Sequence, residues 1–387
     1  MDSVYFDNAS TTAVDNRVME AMLPYFTRHF GNADSAHQMG RTTKVAIEDA
    51  REKIAKLIGA EPSEIIFTSG GTESDNAIIK GVIAATRKKE IITSPIEHHA
   101  VIYPAESMKM QGIRVTYLQP DHNGVIHPEQ VEEAINDETA IVSLMHVNNE
   151  IGSINPIKDI AAICRAKKVT FHSDTVQSVG KIPVNVKDLG LDALSISAHK
   201  IYGPKGIGVL YVKNGTPWIP WLQGGSQERR RRGGTSNVAG IVGLSTALEF
   251  AVNEMDKHLD HFKMLRETVI KELNQSLKDR YLINGPNQGG VPHIINLGFP
   301  TDLNSGLDGE MLLLNLDIEG ICVSNGSACT SGAMEPSHVL KGIEIPDPIA
   351  KSSVRISFGK QNTKEDVLLF VEKLGNILDR MTNVPTS

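Results

Sequence analysis

The sequence is poor in cysteine: Cys164, Cys322 and Cys329 are the only three among 387 residues. So few, and an odd number, cannot build a disulfide framework, so a reducing compartment is expected and a leftover thiol is available as a nucleophile. Positive charge is short as well. Lysine and arginine number 39 against 46 acids, a net charge of −7, which argues against a general binder of nucleic acid or membrane. No apolar run reaches the ~18 residues that span a bilayer. The opening MDSVYFDNAS has no basic stretch followed by an apolar one, so no secretory signal is read and a cytoplasmic location is expected. Internal repeats and low-complexity segments are missing too. The exception is Arg229 to Arg232, four arginines in a row. That run reads either as a solvated basic loop or as a contact for an anion or a partner.

The chain is too long for one typical core, and with 40% apolar and 22% charged residues it has an ordinary globular composition. Apolar, β-rich runs fall at 64–69, 90–94, 113–118, 140–146, 169–174, 193–197 and 207–212, with helical patterns such as 42–59 and 157–168 between the earlier ones. This alternation predicts an α/β fold: a mostly parallel sheet with helices on both faces. Ligands of such sheets bind beyond the carboxyl ends of the strands. After about residue 236 the pattern changes to a long helical stretch over 238–279, then 291–299, a helix near 308–316, 321–325, 353–358 and a last helix near 363–380, read as a smaller α+β domain.

Several segments placed after strands carry chemistry. TSGGTES (68–74) opens a helix, and Gly70, Gly71 and Thr72 there could cradle a phosphate on free N–H groups or simply make a turn. SISAHKIYGPKG (195–206) puts Lys200 beside Ser197 and His199, a setting where a lysine of lowered pKa can form a Schiff base, although most lysines are solvated charges. FHSDTVQSVGK (171–181) places Asp174 and Gln177 after another strand; the aspartate could cap a helix or pair with a protonated ring nitrogen. His98 in EHHA and Asn149 in HVNNEIG fall on the same expected edge. SNGSACTSGAMEPSHVL (324–340) sets Cys329 among small polar residues, the surroundings of an exposed, reactive thiol, whereas Cys164 and Cys322 lie in apolar runs.

Taken together, DNASTT (7–12), SGGTES, EHHA, HVNNEIG, HSDTVQ, SAHKIYGPKGIG, QERRRRGGT (227–235), GSACTSG (326–332) and SSVRISFG (352–359) resemble the cysteine desulfurases, class V aminotransferases of the fold-type I pyridoxal-phosphate group. The resemblance runs from about residue 4 to about 375. It implies a large domain over 15–255 with a seven-stranded, mostly parallel sheet. The smaller domain would comprise 1–14 and 256–387 and carry the cysteine. It implies pyridoxal 5'-phosphate as cofactor, with Lys200 as its covalent anchor. His98 would stack on the ring and handle protons, Asp174 would pair with the ring nitrogen and Gln177 with the ring oxygen. Gly71, Thr72, Ser197 and His199 would hold the phosphate, and Thr235 would reach the phosphate of a second copy, which implies a homodimer. Asn149 and Arg355 would bind the carboxylate of L-cysteine. Cys329 would take the sulfur as a persulfide and hand it to an acceptor protein, a cluster scaffold or a transfer-RNA-thiolation enzyme. No metal is implied. Other readings are an aminotransferase or selenocysteine lyase on the same fold, a non-enzymatic sulfur carrier, and a cofactor-free structural protein. Two departures stand out. Arg230 and Gly233 occupy positions where relatives often carry glycine and serine or alanine. The chain also ends soon after its last helix, at RMTNVPTS, where some relatives have a longer tail that docks a scaffold.

Overall fold

In the computed structural model, residues 3–300, 307–325 and 335–382 are described. The strands are β1 (Val4–Tyr5), β2 (Ile65–Thr68), β3 (Glu90–Thr93), β4 (Arg114–Tyr117), β5 (Thr139–Ser143), β6 (Thr170–Asp174), β7 (Ala193–Ser197), β8 (Gly208–Val212), β9 (Leu282–Asn284), β10 (Ile294–Gly298), β11 (Ile321–Cys322) and β12 (Val354–Ser357). Seven of them form one sheet in the order β2-β8-β7-β6-β5-β3-β4. All pairings are parallel except those of β8, which runs antiparallel to both β7 and β2. Strands β2, β3, β5, β6, β7 and β8 are buried throughout. That is why their sequences read as apolar runs rather than as alternation. Because β8 alone is reversed, the carboxyl ends of β2, β3, β5, β6 and β7 share one edge, and the loops that follow them meet there.

The sequence pattern located each of these seven strands to within a few residues. It missed β1 and β9, two and three residues long, which are too short to show a period. The long helical stretch expected over 238–279 is two helices, Val238–Asn253 and Met255–Ser276, bent by 67°. The first is apolar on most sides and packs on the helix Gln38–Ile58 under the main sheet. The second turns only Phe262, Leu265, Val269 and Leu273 inward, toward a different core. One continuous rod could not serve both.

That second core gathers Phe6, Phe299, Phe358 and Phe370 with the apolar faces of Met255–Ser276 and the terminal helix Lys364–Thr382, against the antiparallel sheet β12-β10-β9. Phe6 meets Phe358 and Phe370 edge-on, with both centroids at 5.8 Å. The amino-terminal segment is thereby fixed to the carboxyl-terminal part. Asn8 Nδ2 donates to the Ser357 carbonyl (2.9 Å) and the Ala9 amide to Ser357 Oγ (2.8 Å). From this anchorage residues 9–12 cross to the main sheet, where the Thr12 amide donates to the His199 carbonyl (2.9 Å). No single described helix is long and apolar enough to cross a membrane.

Candidate active site

The strand-end loops, the crossing segment and β12 enclose a cavity of about 670 Å³. Gly71, Thr72, His98, Asn149, Asp174, Gln177, Ser197, His199, Lys200 and Arg355 all line it. Thr235 does not; it is exposed, outside the lining. Cys329 lies outside the described residues, but the chain on either side of 326–334 is tied to the cavity wall. Ser324 forms a backbone bridge with Arg355, and Ser337 Oγ donates to Glu150 Oε2 (2.5 Å).

The helix Gly71–Thr86 starts at the cavity. Its N-cap, Gly70, has φ +151°, and among the described residues no side chain caps its first amides; free N–H groups at a positive helix end are suited to an anion. At Gly71 a Cβ would stand 2.8 Å from Val176 Cγ2, which is why the cradle takes glycine there.

Lys200 Nζ donates to the carbonyls of Ala9 (2.7 Å) and Ser10 (2.6 Å). Burial, and then the Arg355 charge, lower its pKa to about 8, so a useful fraction is neutral near physiological pH. Asp174 Oδ1 accepts from the Val176 amide at 2.9 Å. Burial pushes its pKa up while the amide and Lys200 pull it down. His98 caps the helix His99–Lys109, Nδ1 accepting from the Ala100 amide at 3.1 Å. Its ring opens onto the cavity yet has protein on most sides. Burial and then Lys200 push its pKa down to about 4, leaving a neutral ring. His199 Nδ1 meets Thr11 Oγ1 (3.1 Å), and burial lowers its pKa to about 4 as well.

Arg355 is 3% exposed. Its Nη1 donates to the Asn149 carbonyl (2.9 Å), and its Nη2 to Asp7 Oδ1 (2.7 Å) and Ser10 Oγ (2.6 Å). Its Nε has no partner among the described residues. A guanidinium held on one flank with a donor left over is suited to a carboxylate.

Sequence reasoning assigned no individual role to several residues that shape this site. Asp7, Ala9 and Ser10 were visible only as part of the DNASTT motif. Asp75 and Glu150 line the cavity, buried to 1% exposure each. Asp75 Oδ1 lies 3.5 Å from His172 Nε2, and burial plus the Asp174 charge push its pKa well up. Burial raises Glu150 to about 7. The available signal was a polar residue within a few positions of a strand end, in TESD and VNNE.

The arginine run is not merely a solvated loop. Glu228, just before it, pairs through both oxygens with Arg51 (2.8 and 2.9 Å), and both side chains are buried. Arg229 pairs with Glu48 (3.1 Å), Arg232 with Glu73 (2.8 Å) on the cradle helix, and Arg231 bonds the Ser63 carbonyl.

The Aminotransferase class-V family model matches residues 4–370. Among curated proteins the chain is 48% identical over 383 residues to the cysteine desulfurase IscS of Dictyoglomus turgidum, covering 98% of this chain and 96% of the relative. It is 45% identical over 384 residues to the IscS of Methanosarcina thermophila, covering 99% and 93%. Among solved structures it resembles a NifS-like protein with a TM-score of 0.90 at 39% identity over 98% of this chain and 100% of the other. It also resembles SspA in complex with cysteine, with a TM-score of 0.80 at 36% identity over 92% and 98%.

Proposed function

The chain belongs to the class-V aminotransferase family, and we infer from that membership and from the cavity that it is a pyridoxal-phosphate-dependent cysteine desulfurase, converting L-cysteine to L-alanine and passing the sulfur to an acceptor. The observation that carries this reading is the convergence of Lys200, Asp174 and an uncapped helix start on one cavity with Arg355.

The donor set fits the cofactor. The amides of Gly71 and Thr72 and the side chains of Thr72, Ser197 and His199 suit its phosphate. Asp174 suits the ring nitrogen, Gln177 the ring oxygen, and Lys200 a covalent link. When bound, pyridoxal phosphate supplies an electron sink for the pair left on the substrate carbon. The protein's own groups do the rest. Arg355, with Asn149, binds the carboxylate and so orients the Cα–H bond toward Lys200. The Lys200 amine, partly neutral near physiological pH, would accept the α-proton and give it back at another atom. His98, which lines the cavity and is neutral at working pH, would be the second proton-handling group. The Cys329 thiolate attacks the substrate sulfur. An S–S bond forms, the C–S bond breaks, and its electron pair stays with carbon, which takes a proton to give alanine. The persulfide on Cys329 then passes to an acceptor protein, a cluster scaffold or a transfer-RNA-thiolation enzyme. We place the enzyme in the cytoplasm as a homodimer in which Thr235 of each copy reaches the other's phosphate. Its domains would be 15–255, and 1–14 with 256–387.

The test is alanine release from L-cysteine by the wild type and by Lys200→Ala. Lys200→Ala is expected to lose covalent cofactor and all turnover; normal turnover in that variant would overturn the reading.

A further inference from the structure

Gln177 is 4% exposed, lines the cavity, and has a fully specified amide. Its Oε1 accepts from Lys181 Nζ at 2.6 Å, and its Nε2 donates to the Ala9 carbonyl at 2.8 Å. The two partners leave no ambiguity about which end is which. A backbone carbonyl accepts only, so the nitrogen must face Ala9 and the oxygen Lys181, whose amine donates to it. An amide nitrogen carries two hydrogens. Ala9 takes one, and the other remains for a group in the cavity.

Lys181 follows Gln177 by one helical-type turn, in residues 177–181, and has no acid partner among the described residues. Among the described residues, the charged groups that act on it are Lys200 and Arg355, both positive, and it acts in turn on His293. A lysine so placed gains nothing from an ion pair, and burial beside two other bases lowers its pKa to about 7. Among the described residues its amine donates to Gln177 and pairs with no acid, so a structural salt bridge does not explain its presence.

We propose that Lys181 is a positioning residue that locks the Gln177 amide so that it offers an N–H donor, and never its oxygen, to the cofactor's ring oxygen. The inference rests on the assignment of Gln177 to that oxygen above and adds what fixes its sense. Without Lys181 the sense of the amide would rest on the Ala9 carbonyl, which also accepts from Lys200 Nζ at 2.7 Å. A flipped Gln177 would turn its oxygen toward an electron-rich ring oxygen and its nitrogen toward Lys181's former place.

The test is a double-mutant cycle on Gln177→Ala and Lys181→Met, read by the cofactor dissociation constant from equilibrium dialysis and by the pH midpoint of the bound cofactor's absorbance. Each single variant is expected to weaken cofactor binding by roughly tenfold, the worth of one well-placed hydrogen bond to a charged group, and to move the midpoint in the same direction. The double variant should match the singles, because Lys181 acts only through Gln177. Multiplying effects would overturn the proposal, since they would mean that Lys181 acts independently. If Lys181→Met folds poorly, Lys181→Arg, whose guanidinium donates and cannot accept, should restore the wild-type midpoint; failure to restore it counts against the proposal. If Gln177→Ala itself leaves both readouts unchanged, the assignment of Gln177 fails. If only Lys181→Met leaves them unchanged, that assignment stands and the proposal falls.

Discussion

Asp7 Oδ1 lies 2.7 Å from Arg355 Nη2, although 348 residues separate them in the chain. The pair joins the first residues of the protein to β12 and sets one flank of the guanidinium before any substrate arrives. A lysine at 355 would keep the charge and lose the planar fork. Arg355→Lys should raise KM for cysteine by roughly ten- to a hundred-fold, with a smaller change in kcat. Asp7→Asn keeps an oxygen acceptor for Nη2, so its effect on KM should be the smaller of the two. Steady-state kinetics on both variants checks this, and the reverse order would remove Arg355 from the carboxylate-binding role.

Most of this site could be read in the sequence because its residues follow strands, and strands that are buried on both faces announce themselves as apolar runs. Asp174, Ser197 and Lys200 are placed by β6 and β7, and their setting is local. Asp7, Ala9 and Ser10 are different. They reach the cavity only because Phe6 is locked between Phe358 and Phe370, a contact between chain ends that no local period encodes. The break at Glu254 was missed for a related reason. A helical period persists across it, and only the choice of core changes.

Asp75 gives a pH-dependent prediction whose sign follows from linkage. Burial and the Asp174 charge raise its pKa in the folded protein well above the 3.8 of an unfolded chain. The folded state therefore keeps a proton that the unfolded state releases once the pH passes 3.8, and stability falls as pH rises from there. An asparagine is neutral at every pH, as the protonated acid is. Asp75→Asn should therefore gain stability relative to wild type as the pH is raised toward neutral, and lose that advantage in acid. Denaturant unfolding at a series of pH values measures the difference. A constant offset would show that Asp75 is not the proton-holding group.

The loop around the arginine run offers two stability changes of opposite sign. Arg51 and Glu228 are buried, at 3% and 5% side-chain exposure. Glu228→Ala would leave Arg51 uncompensated and should cost about 3 kcal/mol. Arg230 has φ +66°, a conformation that glycine adopts without strain. Arg230→Gly should therefore stabilise by about 0.5 to 1 kcal/mol if the arginine side chain contributes little. Urea midpoints on the two variants report both. A destabilised Arg230→Gly would mean that this arginine makes a contact worth more than the strain it carries, and the interface between copies would be the first place to look.

The three cysteines should separate cleanly by what surrounds them. Cys164 is fully buried, and burial lifts its thiol to about 12, so it cannot supply a thiolate at neutral pH. Cys322 is half-buried on β11, paired in register with Tyr5 of β1, where moving to meet a substrate would break that pairing. Cys329 belongs to a glycine- and serine-rich segment whose flanks are held at the cavity by Ser324 and Ser337. The cofactor groups, in contrast, lie on the main-sheet edge. Cofactor binding and sulfur capture are therefore borne by different parts of the chain and should be separable. Cys329→Ser should keep the bound cofactor and still change its absorbance on adding cysteine. It should nevertheless lose nearly all alanine and sulfide release, because a hydroxyl is a far poorer nucleophile toward sulfur. Cys164→Ala should cost about 1 kcal/mol of packing and leave turnover intact, and Cys322→Ala should do likewise. Mass spectrometry after exposure to cysteine should find the added sulfur on Cys329. Sulfur found on Cys164 or Cys322, or normal turnover by Cys329→Ser, would take the persulfide away from Cys329 and leave a lyase that releases its sulfur without a carrier thiol in this loop.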